Sequence, residues 1–262
     1  MDEELNPRDG ETVDEILGGR LRIIQKMRGY RFSLDALLLA HFAALREGDD
    51  LIDLGTGGGV IALILSQRVK CGRILGIDIQ DELVEIAKRN VVFNGLAGQI
   101  QIRRGDVRYP KFLCEPQSFS AAVFNPPYRR LASGRMNPDP GKAVARHEIA
   151  GTAADFLAAA VHALRLEGRV YAIYPATRMV QLLVRMREFR IEPKRLRLVH
   201  SRPGGSGVFV LVEGVKEGRE ALQVLPPLFI HEERGGYTLE MAEIFRDLSV
   251  CPARGGNGSL WP

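Results

Sequence analysis

The sequence predicts an α/β fold: a seven-stranded, mostly parallel sheet with helices on both faces and an antiparallel hairpin at one edge. Three observations carry this. From Asp49 onward, short apolar runs of strand length alternate with longer helical segments. The first run leads into Gly55-Thr56-Gly57-Gly58-Gly59, a glycine loop between a strand and a helix. The last two runs, 195–200 and 208–212, are joined by the loop 201–207 and read as an antiparallel pair.

In chain order, residues 1–15 hold seven acids against one base and read as a frayed polar tail. Leu21–Ile24 and Tyr30–Phe32 flank Lys26-Met27-Arg28-Gly29, which predicts a hairpin. Ser33 is placed to cap an apolar helix running through Leu45. The regular part then begins. Strands are predicted at Asp50–Leu54, Arg73–Asp78, Ile100–Arg104, Ala121–Phe124 and Gly168–Tyr174. Helices are predicted at Val60–Val69, Asp81–Asn94 (with Gly95 to end it), Thr152–Leu166 and Met179–Phe189. Beyond residue 213 little pattern remains except a short helix near Leu239–Leu248, and the glycine-rich stretch 253–259 reads as disordered. The chain thus divides into an N-terminal cover (1–48), a central domain (49–213) and a C-terminal extension (214–262).

Composition excludes several classes. Apolar residues make up 45% and charged residues 26% of the 262, the balance of a globular protein with an ample core. No apolar run reaches the roughly 20 residues of a membrane span, and the acidic start does not resemble a signal peptide, so a cytoplasmic protein is expected. Cys71, Cys114 and Cys251 lack CxxC spacing, and the five histidines are scattered, so neither a disulfide frame nor a metal site is expected. The net charge of +4 is unevenly spread: residues 20–31 carry Arg20, Arg22, Lys26, Arg28 and Arg31 with no acid. A polyanionic partner is compatible with that.

The glycine loop and its acids point to a nucleotide-like ligand. Gly55, Thr56 and Gly57 let a ligand approach the backbone. Asp78 lies 23 residues after Gly55 at the end of the second strand, where a carboxylate can accept both ribose hydroxyls. Asp53, just before the loop, would oppose the pyrophosphate of a dinucleotide but suits a cation. Gly105-Asp106 adds an acid suited to an adenine amine. S-adenosylmethionine, which carries a sulfonium and an ammonium and no phosphate, fits better than NAD.

A second site follows the fourth strand. Asn125-Pro126-Pro127-Tyr128 stops both sheet and helix at the carboxyl end of a strand, where open α/β sheets bind ligands. An amide, proline carbonyls and an aromatic ring together can hold a flat group bearing an NH2.

D-L-G-T-G-x-G at 53–59, Asp78, Gly105-Asp106 and Asn125-Pro126-Pro127-Tyr128 resemble the motifs of class I amino methyltransferases, in order and spacing, over about residues 20–215. Within that class, Ile16–Gln25 and Phe32-Ser33-Leu34-Asp35-Ala36 resemble the bacterial tRNA1(Val) adenine-N6 methyltransferase group. The resemblance implies a Rossmann-like methyltransferase domain at 49–213, with S-adenosylmethionine as methyl donor and S-adenosyl-L-homocysteine as product. It implies Asp53 near the methionine ammonium, Asp78 on ribose and Asp106 on adenine, with Ile79 and Val107 beside them. Phe32, Ser33 and Asp35 would close over the cofactor, with Gln25 a weaker candidate and helix capping the alternative for Ser33 and Asp35.

For catalysis the resemblance implies that Asn125 and the Pro126 carbonyl accept the two hydrogens of the target amine, Asn125 also bordering the cofactor. Tyr128, with Pro127, would stack on the base. The loop 129–146 carries Arg129, Arg130, Arg135, Lys142 and Arg146 against the single acid Asp139. It would meet phosphates flanking a flipped base. The expected reaction is adenine-N6 methylation of RNA, with tRNA the leading substrate and a monomer the expected state. Protein glutamine N5-methylation uses the same tetrapeptide but usually comes with an added N-terminal helical domain, for which about fifty residues leave no room. DNA adenine methylation normally brings a separate recognition domain, and none is visible. A non-catalytic RNA-binding module would keep all four motifs without using them.

Overall fold

The computed structural model describes residues 7–28, 31–126 and 151–248. The chain opens with a two-stranded antiparallel ribbon, β1 (Glu11–Ile16) and β2 (Leu21–Lys26), in which Glu11 faces Lys26 and Ile16 faces Leu21. This corrects the predicted hairpin. Its first strand lies inside the stretch read as frayed except for Ile16, its turn is at Leu17–Arg20, and Arg31 and Phe32 are not in a strand. β1 has the sequence ETVDEI, in which acids at three of six positions leave no apolar run to search for. β2 supplies the buried side, with Leu21, Ile23 and Ile24 fully enclosed.

Helix α1 (Leu34–Phe42) follows, then β3 (Leu51–Leu54), α2 (Val60–Arg68), β4 (Ile74–Asp78), α3 (Asp81–Phe93), β5 (Ile100–Arg104) and β6 (Phe119–Phe124). After the undescribed segment come α4 (Ala153–Ala163), β7 (Leu164–Pro175), α5 (Met179–Glu188), β8 (Ile191–His200) and β9 (Gly207–Lys216). The central strands run in the order β8-β9-β7-β6-β3-β4-β5, parallel except that β9 is antiparallel to both β7 and β8. That is the seven-stranded, mostly parallel sheet with an antiparallel edge that the sequence predicts. Two further strands of two residues each, β10 (Gln223–Val224) and β11 (Leu228–Phe229), add to the free side of β8. Helix α6 (Leu239–Asp247) packs behind them, placing Met241, Ile244 and Phe245 in the core.

Alternation along each strand divides the core into two layers. Leu51, Ala121 and Val123 point to the layer built with α1, α2 and α6. Ile52, Leu54, Ala122 and Phe124 point to the layer built with α4 and α5. Asp53 takes the α1/α2 side among apolar neighbours and is fully buried. At the amino ends of the strands, a buried network ties the end of α1 to the sheet. Arg169 pairs with Asp49, Ser120 Oγ donates to Asp49 Oδ1 at 2.7 Å, and both Arg169 and Tyr171 donate to the Ala44 carbonyl. Burial opposes ionisation of Asp49, but the Ser120 hydroxyl, the Arg46 N–H and the Arg169 guanidinium hold its carboxyl below the usual range.

Candidate active site

Register brings the sequence motifs to one end of the sheet. Leu54 lies beside Ile77 on one side and Phe124 on the other, and Asp78 lies beside Arg104. The residues that follow these positions, Gly55, Ile79, Gly105 and Asn125, therefore emerge together at the carboxyl ends of four adjacent strands.

The glycine loop is pulled over β4. The N–H groups of Gly55 and Thr56 both donate to the Ile77 carbonyl, at 2.8 and 2.9 Å. Gly55 has φ 73°, and a Cβ there would stand 3.0 Å from Phe156 Cε1, so both conformation and space require glycine. Gly57 donates its N–H to Asp78 Oδ2 at 2.9 Å, and Gln80 donates to Asp78 Oδ1 at 2.9 Å. Asp78 is thus fixed by two backbone N–H groups, which work against the upward push that burial gives its pKa. The remaining lone pairs of its two oxygens suit a pair of hydroxyls.

Asp53 is the most unusual group in the site. Its Oδ2 accepts from Thr56 Oγ1 at 2.6 Å, while its buried Oδ1 has no hydrogen-bond partner among the described residues. Burial, with the Asp78 charge adding to it, raises the carboxyl to about 7. A buried acid with one oxygen unsatisfied is a place for a cation, and the ammonium of S-adenosylmethionine fits that donor set.

Gly105 gives its N–H to the Asp78 carbonyl at 2.9 Å, and a Cβ on it would meet Leu113 Cδ2 at 2.7 Å. Both oxygens of Asp106 are held by Arg108, at 2.6 to 3.0 Å, and that hydrogen bonding lowers its pKa. An adenine amine would share this carboxylate with Arg108. Val107 is 5% exposed and belongs to the core layer under α4, so only its backbone borders the site. Ile79 is half-buried at the rim.

The strap leading into α1 is fastened to the ribbon. Phe32 donates its N–H to Gln25 Oε1 at 3.2 Å, Gln25 Nε2 bonds Asp14, and Arg31 pairs with Asp14 at 2.7 Å. Gln25 is therefore a brace for Phe32. Ser33 sits at the N-cap position of α1 but makes no capping bond; its hydroxyl donates to Asp35 Oδ1, which also accepts the Ala36 N–H at 2.9 Å.

Asn125 is half-buried and Pro126 buried, directly after β6 and next to the strand that ends in the glycine loop. Pro127, Tyr128, Arg129, Arg130 and Arg135 lie outside the described residues, as do Lys142, Arg146 and the stretch 253–259. Two residues escaped the sequence reading, Asn90 on α3 and Asn94 at its C-cap. Asn90 bonds the backbone of Ile24 and the carbonyl of Gly58 in the glycine loop, and Asn94 bonds the backbone of Arg22. Asn90 inside an amphipathic helix was the available signal, because asparagine is a poor helix-interior residue, whereas Asn94 stands at the C-cap, where asparagine is ordinary.

Residues 34–185 match the methyltransferase small domain, more than half of the chain. The chain belongs to that family. A similar fold is found in a predicted O-methyltransferase from Agrobacterium tumefaciens, with TM-score 0.66 and 21% identity over 82% of this chain and 96% of that one. That likeness concerns the fold, which is the class I methyltransferase fold. Among curated proteins, one from Porphyromonas gingivalis named tRNA1(Val) (adenine(37)-N6)-methyltransferase is 29% identical over 86% of this chain and 91% of its own length. A protein of the same name from Shewanella sp. (strain MR-7) is 24% identical, covering 84% of this chain and 92% of its own length. This methyltransferase uses S-adenosylmethionine as cofactor, and the glycine loop with Asp53 and Asp78 has the donor set to hold it. Among the described residues no helix is long and apolar enough to cross a membrane.

Proposed function

We propose that this methyltransferase modifies the exocyclic N6 amine of an adenine in RNA, with a tRNA as substrate and the cytoplasm as its compartment. The observation that carries the reading is Asn125-Pro126 at the end of β6, one strand from the glycine loop. The two curated relatives of that name support it, since this chain matches nearly their whole length.

S-adenosylmethionine supplies an electrophilic methyl group on a sulfonium. Asp53 would neutralise its ammonium, Asp78 would accept its ribose hydroxyls, and Asp106 would accept from its adenine amine. Phe32 and Ser33, on the strap held by Gln25, and Asp35, in the first turn of α1, would cover it. The target nitrogen is a weak nucleophile because its lone pair is delocalised into the purine ring. Asn125 Oδ1 and the Pro126 carbonyl would accept its two hydrogens, favour a tetrahedral nitrogen and stabilise the charge that develops on it. Tyr128 would stack on the base and hold the nitrogen in line. Such a site needs no strong general base before transfer.

Incubation of the purified enzyme with labelled S-adenosylmethionine and unmodified tRNA tests this. N6-methyladenosine in the digested tRNA is expected. A parallel incubation with a protein fraction that holds release factors tests the alternative: label in protein glutamine and none in tRNA would replace the reading with release-factor-type methylation.

A further inference from the structure

The cations along α5, β8 and the adjoining turns fall into two groups. Arg185 pairs with Glu188, Arg187 with Glu192 and Glu220, Arg190 with Glu217, Arg195 with Glu213, and Arg197 with Glu240. Lys194 donates to the Arg219 carbonyl. Arg178 and Arg202 are exposed, and none of the ion pairs found among the described residues involves either. They are also the two that stand at the end of the sheet where Asn125 emerges.

Topology fixes that placement. β7 is the neighbour of β6, with Ala172 beside Phe124, and the turn Ala176–Arg178 follows directly from its carboxyl end. β9 begins at the same end, with Phe209 beside Pro175, so the 201–206 loop between β8 and β9 lies on the same rim. Two strand spacings, about 10 Å, separate β6 from β9.

The Arg202 turn is built rather than loose. Gly205 donates its N–H to the Arg202 carbonyl at 3.2 Å, and His200 Nδ1 bonds the Gly205 carbonyl at 2.8 Å. The His200 ring rests against Phe229, 5.4 Å between centroids, and His231 donates its N–H to the Ser201 carbonyl at 2.9 Å.

We infer that Arg178 and Arg202 form a phosphate track for the RNA strand flanking the target base, leading away from Asn125 across the ends of β7 and β9. This rests on the RNA reading above. An arginine with no internal carboxylate offers its full fork to a phosphate, and such contacts set register without reading sequence. The partner is a single-stranded or loop RNA segment, from which a base can turn into the site while its neighbours stay on the rim.

The test compares wild type with Arg178→Glu, Arg202→Glu, the double variant and the double lysine variant, on an unmodified tRNA. Each glutamate variant is expected to raise KM about tenfold, and the double variant to flatten the dependence of log KM on log salt by roughly 1.4, from ~0.7 per phosphate contact on a single strand. kcat at saturating RNA and the Kd for S-adenosylmethionine should hold, and the lysine variant should keep most of the affinity. Unchanged KM and salt slope in an active double variant would overturn the track. So would an equal loss of cofactor affinity, which would put the arginines in the cofactor site. Absence of N6-methyladenosine from wild type defeats the parent reading instead.

Discussion

The carboxamide of Asn90 pairs with the backbone of Ile24 as a neighbouring strand would: Oδ1 accepts the Ile24 N–H at 2.7 Å and Nδ2 donates to its carbonyl at 3.0 Å. The same Nδ2 reaches the Gly58 carbonyl at 2.9 Å, so one buried side chain joins the N-terminal ribbon to the glycine loop. Asn94, one turn on, repeats the pairing with Arg22 at 2.9 and 2.8 Å in a more exposed setting.

Asn90→Ala should therefore destabilise the protein by about 2–4 kcal/mol, because it strands buried backbone groups. It should also weaken cofactor binding through the loop. Asn94→Ala should cost less, since water can replace its bonds. Urea unfolding of both variants, with calorimetric titration of S-adenosylmethionine, checks this; equal losses would show that burial is not what makes Asn90 matter.

Gly76→Ala should act on the cofactor site from beneath. A Cβ there would stand 2.6 Å from Ile102 Cδ1 and 2.9 Å from Thr56 Oγ1. Thr56 Oγ1 is the donor to Asp53, so relief of the clash moves the hydroxyl off the carboxylate. Cofactor affinity should fall by about tenfold, the worth of one hydrogen bond to a charged group. An unchanged Kd would show that Ile102 alone absorbs the added methyl.

Asp53 makes the free protein and its complex respond oppositely to pH. Its folded value, about 7, lies above the ordinary 3.8, so folding favours the protonated form. That stabilisation is complete below 3.8 and is lost as pH rises through 7. A bound ammonium favours the carboxylate instead, so the affinity for S-adenosylmethionine should climb as pH passes through 7. Thermal melts of the free protein and titrations from about pH 5.5 to about pH 8.5 read both trends. Asp53→Asn should flatten both, and a variant that keeps the slope would assign it to another group.

How much of this was legible in the sequence depended on what each residue faces. β5 at Ile100–Arg104 matches its predicted bounds, because its apolar residues alternate cleanly between clear punctuation. The glycine loop and Asp78 were readable because strand, loop and helix follow in order. β1 was not, because a strand with acids at three of its six positions has no apolar run to display, whichever way those acids face. β10 and β11 were not, because two residues are too few for any period. The predicted hairpin took Tyr30–Phe32 for a strand on its aromatic residues, whereas Phe32 belongs to the strap held by Gln25. In the site, Asp53 was found as an acid, but its unsatisfied Oδ1 depends on burial that spacing does not report. The grip of Arg108 on Asp106 is likewise a matter of side-chain conformation. Arg178 and Arg202 looked no different in the sequence from the arginines around them until the carboxylates opposite those were placed.

The most direct test is tritiated methyl transfer into fractionated RNA, DNA and protein with wild type and Asn125→Ala, followed by nucleoside analysis. The expected result is label in N6-methyladenosine from tRNA, lost by about a hundredfold or more in the variant, with the Kd for S-adenosylmethionine largely kept. Comparable turnover by Asn125→Ala, or label recovered in protein glutamine, would contradict it.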